Sequence, residues 1–138
     1  MKTKVNFKQS LIAGLLAASG ASVVNIILFY TFKAAGVIVD SIFIQPDTPL
    51  TVVPIIISSV IPTIIASLVF FLLEKYTKNG FKIFRILSII LLLLSFANPF
   101  LGIPDVTISY GIALNLMHIV VVLFLLFFIG KKTKETNI

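Results

Sequence analysis

Four long runs of apolar residues, separated by short polar breaks, set the pattern of this chain. They extend over about Leu11 to Phe32, Thr51 to Leu73, Lys82 to Asn98 and Ser109 to Ile129. A helix rising about 1.5 Å per residue needs about 20 apolar residues to cross a hydrocarbon core about 30 Å thick. The pattern therefore predicts an all-α, polytopic membrane protein, with four transmembrane helices in one bundle over residues 1–138. The first run is the one segment with a rival reading, because its basic start and the "SGA" at Ser19 to Ala21 resemble a secretory signal. Its apolar stretch continues through "SVVNIILFYTF", well past a signal core of about 7–15 residues, so it is read as a retained span. Pro62 falls near the middle of the second run and is expected to kink that helix, since proline removes a backbone hydrogen bond and crowds the preceding turn.

The breaks between runs differ in character. Residues 34–50 contain Asp40, Asp47, Pro46 and Pro49, which oppose a continuous helix. Their "VIVDSIFI" portion is too apolar for a solvated linker and too short to span, so it is expected on the bilayer surface or against the helix ends. "EKYTKNGFKIFR" is a short basic turn at Asn79 and Gly80. In the third run Pro99 is expected to stop the helix, leaving "NPFLGIPDV" as a loop.

Composition agrees with the membrane reading: 59% of residues are hydrophobic and 12% charged, against about 25% charged in soluble domains. The absence of cysteine excludes disulfides, thiol nucleophiles and thiolate metal sites. A net charge of +6 raises nucleic acid as a partner, but the basic residues sit in groups between apolar spans and not on one soluble face, so no nucleic acid is expected. They report topology. The two tails and the middle loop hold ten of the eleven lysines and arginines, and the other two loops hold Lys33 alone. The positive-inside rule then places both termini in the cytoplasm, of a bacterial inner membrane crossed four times. Tyr30, Tyr76 and Tyr110 all fall at span ends, where amphipathic rings favour the interface.

Little here suggests catalysis. A zinc site usually takes three or four protein ligands, and the chain has a single histidine, with its carboxylates in loops or tails. One histidine cannot supply bis-histidine haem ligation within one chain, no glycine-rich phosphate loop is present, and no carboxylate at membrane depth stands ready to orient His118 as a base. No catalytic residue, metal or cofactor is expected. What remains is a polar layer: Asn25 in the first span, Ser58 and Ser59 in the second, Ser95 in the third, and Asn115 with His118 in the fourth lie at comparable depth toward the outer side. Gly14, Ala18, Ala21 and Asn25 share one helix face, as do Ser59, Thr63 and Ser67, and as do Asn115 and His118. Such small and hydroxyl residues are ordinary groups for packing helices in lipid, which makes the layer first a polar seam. His118 is then expected to hydrogen-bond Asn115, Asn25 or Ser59. A sharper reading makes the layer an outward-facing site for a small ligand or ion, since ionisable residues at membrane depth often mark function.

The order of "PLTVVPIIISSVIPTIIASLVFFLLEK", "LLSFANPF" and "LNLMHIV" along the chain resembles a family of small bacterial four-helix integral membrane proteins of unknown function. The resemblance implies four spans with cytoplasmic ends and no assigned activity, its recurrent features corresponding to Pro62, Ser95, Pro99, Met117 and His118. The expected function is a non-enzymatic membrane bundle, and the alternative is a small transporter or channel-like subunit. The bilayer is its first partner, with room for a homo-oligomer or a membrane partner protein.

Overall fold

A computed structural model describes residues 4–136, so Lys2 of the charge count lies outside the described residues. The chain folds as four helical passages: α1 (Phe7–Ala34), α2 (Val52–Tyr76), α3 (Gly80–Ser95) continued by a short α4 (Asn98–Gly102), and α5 (Ile108–Thr136). All four passages are long and apolar enough to cross a membrane. Their outward surface carries side chains such as Ile61, Leu94, Leu123 and Phe127, apolar and exposed. A surface of that kind promotes association in water and is matched by lipid tails.

Helix α1 begins four residues before the apolar run that predicts it. Asn6 is the reason: its side chain accepts from Gln9 N at 2.9 Å, while Gln9 Oε1 accepts from Asn6 N at 2.9 Å, a reciprocal capping box. At the other end Gly36 takes φ +72°, and the N–H groups of Val37 and Gly36 reach the carbonyls of Phe32 and Lys33 at 2.9 and 3.1 Å. That is a glycine-terminated Schellman motif, closing the free carbonyls at the helix end. Between these caps α1 lays its small-residue stripe against α2 and α5. Gly14 is where the approach to α2 is tightest, since a Cβ there would stand 2.5 Å from Ser67 Cβ. Nearby, Ser10 Oγ donates to Ser67 O at 2.5 Å.

Pro62 sits inside an unbroken α2, with no N–H to offer the carbonyl of Ser58. Pro99 corrects the expectation for the third passage. The helical path does not stop there: it breaks at Phe96 and Ala97 and resumes through Gly102, with Pro99 in the first turn of α4. In a first turn the missing N–H has no intrahelical partner to lose, so proline is accommodated.

Residues 34–50 fold against the helix ends. Phe43–Gln45 (β1) and Thr48–Pro49 (β2) form a small antiparallel ribbon that the apolar pattern does not predict, turned through Pro46 and Asp47, the latter at φ 54°. Ile38, Ile42 and Leu50 are buried there with Phe29, Ile55, Met117 and Tyr110. Tyr110 is therefore a core residue at this end and not an interfacial ring, whereas Tyr30 and Tyr76 are exposed as expected. A second core, built on Phe70, Phe84, Leu125 and Ile129 with Ala13 and Ala17, fills the opposite end.

The two ends carry opposite charge. Lys4 Nζ donates to Lys75 O at 3.0 Å and Thr77 O at 3.3 Å, so the start of α1, the end of α2 and the basic turn meet. Asp47 and Asp105 lie together at the loop end, where Lys33 is paired with Asp40 at 2.9 Å.

Candidate functional site

Between the two cores lies the polar layer. Asn25, almost fully buried on α1, donates through Nδ2 to Ser59 Oγ at 3.0 Å and to Met117 O at 3.2 Å, tying α1 to α2 and α5. Ser59 Oγ in turn donates to Ile55 O at 2.8 Å. Asn115 donates to Phe96 O at 3.1 Å, the carbonyl left open where α3 breaks before α4. Backbone groups at membrane depth need partners inside the protein, and Asn115 supplies one. These bonds join α1 to α2 and α5, and α5 to the break between α3 and α4.

His118 takes no part in them. Its Nδ1 is buried and has no hydrogen-bond partner, and the bonds of Asn25, Ser59 and Asn115 pass it by. The expectation that His118 pairs with one of those three is corrected. The adjacent serines also separate: Ser59 is in the core, while Ser58, one residue and about 100° further round the helix, turns away from it.

Ser58 and His118 face space. A cavity of 350 Å³ lies toward the loop end, with Asn25, Ser58, Met117 and His118 on its walls and Leu50 and Asn98 near its mouth. Asn25 Oδ1, Asn115 Oδ1 and His118 Nδ1 are buried in this half without hydrogen-bond partners. Ser95 does not join this space; its Oγ donates to Leu92 O at 2.7 Å and it lines a second cavity deeper in the bundle, with Pro62 and His118. Ile44, Leu50, Asn98 and Ile103, which also line the first cavity, had no place in the sequence reading of the layer. For Ile44 the signal available was the apolar "VIVDSIFI", which marks a segment that must cover something; Leu50, Asn98 and Ile103 lie outside it.

The chemistry on offer is hydrogen bonding. Amide, hydroxyl and imidazole groups face the cavity, and among the described residues no three of His, Asp and Glu come together as a metal site would require. Fold and cavity define a multi-pass α-helical membrane protein with a polar layer and a cavity beside it. Within that class the chain belongs to the family of unknown function DUF6069, whose pattern matches residues 6–135. No curated protein and no solved structure matches the chain.

Proposed function

We propose that this protein is a non-enzymatic binding or transport subunit of the bacterial cytoplasmic membrane, with both termini in the cytoplasm and a small-ligand cavity opening outward. The observation that carries the binding reading is His118, a polar side chain at membrane depth that makes no packing bond and borders a cavity. A helix-packing histidine satisfies a neighbour, and this one does not. The orientation is supported by the single end at which Lys4, Lys75, Lys78 and Lys82 gather, opposite Asp47 and Asp105. The non-enzymatic reading is supported by Ser58 Oγ, on the same cavity wall as His118, donating to Ile55 O at 3.0 Å and not to the imidazole.

His118→Leu tests the reading. The substitution breaks no hydrogen bond of Nδ1, so the protein should insert and fold normally while failing to restore the phenotype of a deletion strain. Full restoration would return the layer to helix packing alone. Orientation is checked separately, the chain having no cysteine of its own. In spheroplasts, Thr48→Cys should react with an impermeant maleimide and Lys78→Cys should not.

A further inference from the structure

The cavity beside Asn25 is one of two that meet at His118. The second, of 330 Å³, lies deeper between α2, α3 and α5 and shares Ser58, His118 and Val121 with the first. Their walls differ. The loop-side space is bordered by polar side chains, Asn25, Ser58, Asn98 and His118. The deeper space is lined largely by apolar groups, Ala66, Leu91, Leu92 and Leu125 among them. No described residue lining either space carries a formal charge, His118 counted as neutral.

We infer that the paired cavities hold one uncharged, single-chain amphiphile. Its head places a polar group against Ser58 and His118, where the two spaces meet, the imidazole donating or accepting according to its tautomer. Its hydrocarbon chain passes Val121 and lies along α3 and α5. A charged head finds no counter-charge at this depth, where an unpaired charge is costly. A fully water-soluble ligand does not match the deeper walls, and a pure hydrocarbon leaves the imidazole of His118 without a partner. The inference rests on the binding reading above and adds the class of ligand. It concerns the lateral side of the bundle as well as its mouth, because an amphiphile can enter from the bilayer.

The test uses the full chain in phosphatidylcholine nanodiscs and a monoacylglycerol bearing a mid-chain diazirine. Irradiation should give saturable labelling at Ser88 and Leu125, the buried residues that line the deeper space. Excess unlabelled monoacylglycerol should reduce it several-fold, whereas glycerol and an anionic lysophospholipid of equal chain length should not. Ala66→Phe, which fills the deeper space, should reduce it similarly; the competition arm on the native chain decides the matter even if that variant folds poorly. Labelling that does not saturate, or that falls on lipid-facing Ile65 and Leu94, overturns the inference. Protection by glycerol as strong as that by monoacylglycerol also overturns it, while leaving a water-soluble ligand in the first cavity. Failure of the binding reading itself shows elsewhere, as full complementation by His118→Leu.

Discussion

The two halves of the bundle solve the same packing problem in opposite ways. At the basic end Phe70 is fully buried, with the rings of Phe84 and Phe81 at 5.3 and 6.3 Å in edge-on contact, and the α1–α2 seam is closed at Gly14 and Ser10. Among the described residues every buried side-chain polar atom without a partner lies in the other half: Ser22 Oγ, Asn25 Oδ1, Tyr110 OH, Asn115 Oδ1 and His118 Nδ1. Buried polar groups are nearly always satisfied, so a cluster of exceptions calls for an explanation, and a bound ligand is one. One half is finished by its own side chains. The other keeps its buried polar atoms without partners. The lesson is that satisfied and unsatisfied packing are divided along the membrane normal, with the aromatic end closing the helices together while the loop end tolerates unmet hydrogen bonds.

That division can be broken by mutation, and the largest effect should come from the aromatic end. Phe70→Ala removes the centre of the cluster and should destabilise the fold by about 3–5 kcal/mol, the range for large-to-small changes in cores. Reversible unfolding in mixed micelles measures it. A change below about 1 kcal/mol would show that the basic end is not the anchor.

Gly14→Leu should follow, at about 1–3 kcal/mol, because its side chain must displace Ser67 where α1 and α2 are closest. The same unfolding assay applies, and a disulfide scan between α1 and α2 should report the helices moving apart.

Asn25→Leu tests the loop-end half. It loses the bonds to Ser59 and Met117, and interhelical bonds in membranes average about 0.6 kcal/mol with a maximum near 1.7. It also removes an unpartnered oxygen, which offsets part of the loss. A net cost of about 1 kcal/mol or less is expected. A loss matching that of Phe70→Ala would place the seam among the main determinants of the fold and erase the contrast between the halves.

The smallest effect on stability should be that of His118→Leu, which replaces an unpartnered polar group by an apolar one of similar size. Unfolding should be unchanged or slightly harder, since an unsatisfied buried atom is lost. Amphiphile labelling should nevertheless fall several-fold. A clear drop in stability would mean that the imidazole has a structural partner after all.

Several features were legible in the sequence because they depend on composition and near neighbours. Four apolar runs separated by breaks define the passages, and the placement of lysines distinguishes the two ends. The capping box at Asn6 and Gln9 and the glycine cap at Gly36 are equally local, and could have set the ends of α1 more closely than hydropathy did. Asn25, Ser59, Asn115 and His118 were recognisable as polar residues of like depth. Their division of labour was not. Asn25 meets Ser59 and the carbonyl of Met117, 34 and 92 positions away, and the break before Pro99 opens the carbonyl that Asn115 takes. Ser58 and Ser59 part company only because α1 stands on one side of α2 and a cavity on the other. The physical reason is the solvent. In lipid a helix can be apolar on every face, so hydrophobicity decides that it inserts but carries little information about which face meets which neighbour. That choice falls to the shapes of small residues and to a few hydrogen bonds between distant positions, and it exists only once the helices are packed.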